Sequence, residues 1–515
     1  MYNFGEISMF DSIILTILIW AAAAFIGAIG LGVLYVLFLY IADVTQTKQT
    51  IRRNFPVIGR FRYSFEHMGE FFRQYFFSMD REEMPFNRAE RSWVYRAAKN
   101  VDSTIAFGST RSLAHSGEVM FLSCPFPTLT EDAALPKTIT IGDGYAKNPY
   151  QTNSLFNISG MSFGAISKQA VLALSTGAKE SGAWMNTGEG GLSPYHLEGG
   201  ADIVFQIGTA KYGVRDENGN LCDEKLREIA AHDQVKMFEI KMSQGAKPGK
   251  GGILPGIKVS AEIAKIRGIK VGQDSISPNG HTDISSSYEL LDMIARVRRV
   301  TGKPVGFKAV VGRQDFYDSL FSKINERGIA SAPDFITIDS ADGGTGAAPQ
   351  SLMDYMGLPL KESLPFVVDK LIEHKLRNRI KVISSGKLVT PSNVAWALAM
   401  GADFVTSARG FMFSLGCIQA LQCNKNTCPT GIATQDAKFQ KGLNPADKSV
   451  RVASYIENMV YEVGTIAHSC GVKEPRALKR HHAKVVTENG RSILLSDIYP
   501  IADPKGSPHA DAVGV

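Results

Sequence analysis

Between Asp11 and Asp43 the chain has no charged residue. Ile13 to Ala42 is apolar or small almost throughout, a longer run than the roughly 20 residues a bilayer-spanning helix needs. A transmembrane helix is expected there. Basic residues are also missing ahead of it, the first being Lys48; a cleaved signal peptide carries Lys or Arg before a shorter apolar run, so a retained anchor is the better reading. Glu6 and Asp11 precede the helix, whereas Lys48, Arg52, Arg53, Arg60 and Arg62 follow it. The positive-inside bias therefore predicts a single-pass membrane protein whose large C-terminal part is cytoplasmic. Other absences are chemical. No Lys/Arg run interleaved with aromatics occurs in the body of the chain, and a net charge of +6 is modest for 515 residues, which argues against nucleic acid as a partner. There is no Walker A sequence, and Gly344-Thr345-Gly346 opens like a dinucleotide fingerprint but continues Ala-Ala-Pro, so it carries little weight for NAD.

Cysteine is scarce too, at six. Half of it is spent in one place: Cys417, Cys423 and Cys428 fall within the run GCIQALQCNKNTCP. Three thiolates so close cannot all pair as disulfides, and soft sulfur ligands select iron–sulfur clusters, zinc or Cu(I). Zinc requires a fourth Cys or His nearby, and residues 416–435 hold neither. A three-cysteine, three-iron (3Fe-4S) cluster fits best, and a reducing compartment suits such thiolates. Cys124, Cys222 and Cys470 read as reduced structural cysteines.

What is abundant is glycine, with 49 residues in short clusters, against roughly 7% on average. From about Leu155 onward, short apolar runs of β type alternate with helical stretches: Phe156–Ser159, Ala183–Thr187, Ile203–Ile207, Met237–Lys241, Val305–Val311, Phe335–Asp339, Val382–Ser385 and Phe404–Ser407. Eight strands in βα alternation predict a closed α/β barrel, (β/α)8. The glycine clusters follow those strands, in GMSFGAIS, NTGEGG, KMSQGAKPGKGG, SADGGTGAAP and SSGKL, at the face where such barrels carry active sites. Gly386 and the Ser407–Arg409 turn stand after strands seven and eight, where barrels commonly hold a phosphate.

Lys241, Lys247 and Lys308 lie at or just past strand ends, where a cation stabilises a reduced flavin or a substrate carboxylate. Glu189, within NTGEGG, is a candidate acid/base or amine-orienting group. His481-His482 precedes no expected strand and reads as surface. Asn54 to Phe77 mixes arginines and aromatics at helical spacing, and suits either a membrane headgroup surface or a packing segment. The expected organisation is an anchor over residues 1–47, a juxtamembrane linker region over 48–130, the barrel over 131–480 and an extension over 481–515.

The motifs MSFGAIS, NTGEGG, SADGGTGAAP and GCIQALQCNKNTCPTGIATQ, within Phe156 to Gln435, resemble the FMN-binding synthase domain of glutamate synthase. The resemblance implies a barrel carrying FMN beside a 3Fe-4S cluster. It implies reduction of 2-iminoglutarate, formed from 2-oxoglutarate and ammonia, to L-glutamate, with electrons from a ferredoxin or an NAD(P)H-dependent reductase. Carried over by motif, Cys417, Cys423 and Cys428 would ligate the cluster. Met161, Ser162, Gln244, Lys308, Gly343, Gly344, Gly386 and Ser407 would surround FMN, and Glu189, Lys241, Lys247 and Arg267 would face substrate. Two departures stand out: the family has Glu and Gln where this chain has Lys250 and Ile253, and that Gln is a substrate contact. Family glutaminase domains begin with a nucleophilic cysteine, whereas Met1-Tyr2 and the apolar helix stand here, so ammonia is expected to be free or supplied by another protein. A membrane-anchored flavin dehydrogenase, oxidising an amino or hydroxy acid and passing electrons to the membrane, is the competing expectation.

Overall fold

The computed structural model describes residues 4–501. Met1–Asn3 and residues 502–515, which include the expected chain start and the tail of the extension, lie outside the described residues. The chain divides into two compact units, Met1–Ala89 and Glu90–Val515.

In the first unit, α1 (Phe4–Thr45) contains the uncharged stretch. Its segment Asp11–Thr45 is long and apolar enough to cross a membrane and is not buried in protein. Beyond it lie α2 (Thr50–Asn54) and α3 (Gly59–Phe72), the latter continued by a π-helical turn, Arg73–Phe77. Asp43, fully buried, ties the three helices together. Its carboxylate accepts from Arg52 Nη2 at 2.6 Å, Arg60 Nε at 2.8 Å and Val57 N at 3.0 Å. Charge-assisted bonds of this kind are about twice as strong as neutral ones. Phe61, Phe65, Phe72, Phe76 and Phe77 are exposed along α3 and its continuation.

The second unit is built on the expected barrel. β1 (Phe156–Ile158), β2 (Trp184–Asn186), β3 (Asp202–Ile207), β4 (Val235–Lys241), β5 (Val305–Val310), β6 (Phe335–Asp339), β7 (Lys381–Ser385) and β8 (Phe404–Ser407) pair in sequence order, and β8 closes on β1. All pairs are parallel. β6 and β8 have the expected bounds, and the other strands differ at one or both ends by one or two residues, because a strand end is set by the last ladder bond while the apolar run can overshoot it or fall short of it.

Helices wrap the strands by the usual local rules. In Lys168–Ser181, Ser167 Oγ accepts from Ala170 N at 3.3 Å and Gly182 ends the helix at φ +69°, an N-cap and a left-handed C-cap. This helix buries Val171 and Leu174 and packs on Pro445–Ser469, each buried side chain contributing about 1.5–3 kcal/mol. The contact is so close at Gly177 that a Cβ there would lie 2.5 Å from Ser449 O. A three-stranded antiparallel sheet joins Val119–Phe121, Ala483–Val486 and Ser492–Leu494. His481 is exposed as expected, but the pair does open a strand, since Ala483–Val486 follows it directly.

Because side chains alternate along a strand, the barrel interior is layered. The lowest rung is apolar: Trp184, Val204, Met237, Phe335, Ile383 and Phe404 cluster with Ile141 and Tyr150 of the hairpin Ile139–Ile141/Tyr150–Thr152. Two residues further along the same strands come Asn186, Gln206, Glu239, Thr337, Ser385 and Thr406, all buried. Two further again, Lys241 and Asp339 end β4 and β6. Polarity thus rises from the floor of the barrel to its carboxyl mouth.

Candidate functional site

Glu189 sits in the turn after β2. Its side chain is threaded between two backbones: a Cβ on Gly208 would lie 2.6 Å from Glu189 Cβ, and one on Gly252 2.2 Å from its Oε1. Only glycine leaves that room. Lys241, the last residue of β4, brings Nζ to 3.2 Å from Glu189 Oε1. Burial alone would raise the Glu189 pKa, but the charges of Lys241, Lys247 and Arg267 outweigh it and hold the carboxyl below its ordinary range. Lys247 is buried close by, and burial, reinforced by repulsion from Lys241, lowers its pKa to about 8 against the opposing pull of Glu189. Glu189 and Lys241, with Gln244, Lys250 and Asn279, line a cavity of about 20 Å³.

Arg267 is brought near but is not among the residues lining that cavity. It is buried, donating from Nη1 to Ser275 Oγ at 3.1 Å and from Nη2 to Phe163 O at 3.2 Å, and it faces the Tyr212 ring at 5.2 Å. Its guanidinium acts on Glu189 through space. Ile253, in a short strand paired with Ser275–Ile276, is partly exposed and likewise does not line the cavity, whereas Lys250 does.

The residues carried over to a flavin all stand at the barrel's carboxyl end. Met161 and Ser162 form the turn after β1, where Ala165 N and Ile166 N donate to Ser162 O at 3.0 and 3.1 Å. Gln244 follows β4, Gly343 and Gly344 follow β6, Gly386 follows β7, and Ser407 ends β8. Lys308, in β5, is buried with Nζ 3.5 Å from Asp339 Oδ2. Gly386 has φ +118°, and a Cβ there would lie 2.3 Å from Ser340 Cβ. A buried cation beside turns stripped of side chains fits an anionic, planar cofactor resting on backbone.

The cysteine loop follows β8 and the helix Arg409–Ser414. Gln419, Leu421 and Asn426 adopt φ of +57°, +54° and +61°, an uncommon concentration of left-handed non-glycine backbone that marks functional loops. Burial pushes the Cys417 thiol up to about 12 and raises Cys423, with the neighbouring cysteines adding to both. Cys428 is lowered instead, because its bonds from Thr430 and backbone N–H groups outweigh burial. The described residues hold no group of three metal-ligating side chains already at binding distance. The donor set itself, three soft sulfurs with N–H bonds from Gln419 and from the Cys428 turn, suits a thiolate-held cluster.

Sequence reasoning missed several residues. Lys258 is fully buried and donates to Ala165 O at 3.1 Å, Cys423 O at 2.8 Å and Ala433 O at 2.8 Å, pinning the cysteine loop to the turn after β1. Burial lowers its pKa to about 8. Its frame, PGIKVS, is as apolar as the VGFKAVVG that singled out Lys308, so the same signal was there. His281 is buried, with Nε2 3.1 Å from Lys241 O; a carbonyl only accepts, so Nε2 carries the proton. Lys211, at φ +51°, is buried in an ion pair with Asp283 at 2.9 Å. Glu239, in the barrel's middle rung, accepts from Asn186 Nδ2 at 2.8 Å, Gln206 Nε2 at 2.6 Å and Thr337 Oγ1 at 2.6 Å.

Residues 130–473 match the family model described as a conserved region in glutamate synthase. The glutamate synthase large subunit-like protein YerD of Bacillus subtilis is 39% identical over 94% of this chain and 98% of its own length. The archaeal glutamate synthase (NADPH) of Methanocaldococcus jannaschii is 36% identical, over 62% of this chain and 60% of its own. The chain thus spans less than two thirds of the archaeal relative. Among solved structures, mandelate oxidase with benzoyl-formic acid aligns with 77% of this chain and 98% of its own at 16% identity and a TM-score of 0.44.

Proposed function

Because the chain belongs to the glutamate synthase family, and is an oxidoreductase of the class acting on CH–NH2 donors, we propose that it forms L-glutamate from 2-oxoglutarate and ammonia with electrons from an external donor protein. One observation carries the reading: a small cavity at the barrel mouth where Glu189 and Lys241 pair at 3.2 Å, with buried Lys247 close by. When bound, FMN supplies a hydride and a 3Fe-4S cluster held by Cys417, Cys423 and Cys428 relays single electrons. The protein does the rest. Lys247 and Lys250 draw in the carboxylates of the oxo-acid. Glu189, kept ionised by its cationic neighbours, takes the proton that ammonium must lose before nitrogen attacks the carbonyl carbon. Lys241 faces the oxygen on which negative charge develops and donates to it as it departs as water, leaving the C=N bond to be reduced. Lys308 provides the positive charge that a reduced flavin requires, and Arg267 strengthens the field at Glu189 from behind. The apolar helix α1 holds the enzyme to a membrane, with the catalytic unit on the cytoplasmic side.

Full-length protein in detergent, given 2-oxoglutarate, ammonium and a reduced low-potential donor, is expected to release L-glutamate. Reduction of a different oxo-acid with none from 2-oxoglutarate would overturn the substrate. Quinone reduction driven by glutamate would favour the dehydrogenase. A reporter fused to the C-terminus is expected on the cytoplasmic side of the membrane fraction.

A further inference from the structure

We propose that α3 and its π-helical continuation lie along the headgroup region of an anionic lipid bilayer, phenylalanines inward, as a second contact with the membrane that α1 crosses. The proposal goes beyond the catalytic reading and rests only on α1 being a membrane span.

The level of the bilayer surface is set within the first unit. No charged side chain interrupts α1 from Ile13 to Ala42, Tyr35 and Tyr40 are exposed near its end, and Asp43 is the first charge after the apolar run. Tyrosine gathers where hydrocarbon meets headgroups, and charges stay outside the hydrocarbon. The boundary therefore falls between Tyr40 and Asp43. Arg60, the second residue of α3, donates from Nε to Asp43 Oδ2 at 2.8 Å, so α3 starts at headgroup level.

From there its side chains divide by face. Phe61, Phe65, Met68 and Phe72 recur at the spacing of a single helical stripe. The Phe61 and Phe65 ring centroids are 6.4 Å apart, and Phe76 carries the stripe into the π-helical turn with its ring 5.5 Å from that of Phe72. These five side chains and Phe77 are 40–75% exposed. Arg62, Glu66 and Arg73 each follow a stripe residue by one position, which sets them about 100° round the helix axis. A soluble surface rarely carries so continuous an apolar strip, whereas aromatics on one face and arginines beside them are what a helix lying in a bilayer surface needs. From Asp43 to Phe77 the chain has one Lys and five Arg against one Asp and two Glu, and this excess of positive charge selects anionic lipid. A protein partner would have to bring both an apolar trough and an acidic rim to the level at which α1 leaves the bilayer, where the lipid surface already offers both.

The test uses full-length protein reconstituted in phosphatidylcholine vesicles with about 30% phosphatidylserine. Flotation with the vesicles after a carbonate wash checks α1 separately. Lipids brominated on the acyl chain close to the headgroup quench nearby tryptophan. The emission added by Phe65→Trp is expected to fall by about half or more, and that added by Glu66→Trp by much less. Arg62→Glu combined with Arg73→Glu is expected to cut the quenching at position 65 about twofold in these vesicles and to change it little in pure phosphatidylcholine. p-Benzoylphenylalanine introduced at position 65 is expected to capture phospholipid on irradiation, read by mass. Equal quenching at positions 65 and 66 would overturn the proposal. So would an adduct of position 65 with polypeptide in place of phospholipid, whether from this chain's catalytic unit, a second copy or another protein. In either case a protein that still floats leaves α1 standing as a span. A protein that does not float removes the span and the proposal together. A charge reversal that acts equally in neutral and anionic vesicles would overturn the assignment to anionic lipid.

Discussion

The cysteine loop and the middle rung of the barrel are both polar constructions set into an apolar frame, and they are written in opposite ways. The loop spends three cysteines in twelve consecutive positions, Cys417 to Cys428, so its chemistry is local. The rung takes one residue from each of several strands, from Asn186 on β2 to Thr406 on β8, and exists only after the barrel has closed. Local sites survive perturbation of the fold and respond sharply to loss of one ligand. Distributed sites respond to charge and shape everywhere at once.

The sharpest break of that contrast is Cys423→Ser. It is expected to remove essentially all bound iron and sulfide while leaving flavin absorbance, and a single zinc without sulfide in the unmodified protein would end the cluster reading. Next is Lys258→Met, which strips three carbonyls of their donor. With a cost of about 1–3 kcal/mol for each buried group left unsatisfied, partly relieved by relaxation, destabilisation on the order of 3 kcal/mol is expected. Urea unfolding measures it, and an unchanged midpoint would show that the loop is held by other bonds.

Lys308→Ala is expected to weaken flavin retention and lower the flavin's reduction potential, with Lys308→Arg milder. Spectroelectrochemical titration separates the two, and unchanged values in the alanine variant would make Lys308 purely structural. A smaller effect lies in pH. With the Lys247 pKa lowered to about 8, its charge is present below that value and lost above it. The KM for oxo-acid should therefore rise above pH 8, approaching about tenfold per pH unit, and Lys247→Met should remove that limb. A slope that persists in the variant belongs to another group. The smallest change expected is from Ile253→Gln, which restores a polar group next to the cavity loop. It should lower the KM for 2-oxoglutarate by about 5-fold, the value of one hydrogen bond near 1 kcal/mol. No change would mean that position 253 is too far from the substrate to matter.

How much was legible follows the same divide. β1 to β8 were readable because each is a short apolar run bounded by glycine or polar turns, and a parallel barrel buries both faces of its strands. The place of Glu189 and Lys241 at the barrel mouth was readable because both stand where a strand meets a glycine turn, whereas their pairing at 3.2 Å was not. Arg267 bonds Ser275 and Phe163 O rather than lining the cavity, and an arginine in a helical stretch gives no sign of which neighbour its long side chain will reach. Glu239, in KMFEIK, carries no mark in the sequence of what its carboxylate will meet. Only the closed barrel reveals that Asn186, Gln206 and Thr337 converge on it from three other strands. His281 escaped for a similar reason: its partner is the backbone carbonyl of Lys241, 40 residues away, and backbone acceptors leave no mark in a sequence.

Asp43 carries a mechanical consequence. Bonds from Arg52, Val57 and Arg60 approach one carboxylate, and a group gripped from several residues cannot act as a swivel. The path of the chain between α1 and α3 is therefore a welded elbow, its angle fixed by side chains rather than by the length of residues 46–49. Lengthening that connection by a residue or two should leave the heading of α3 unaltered, whereas Asp43→Asn, which removes the charge and turns one acceptor into a donor, should turn the bracket into a tether.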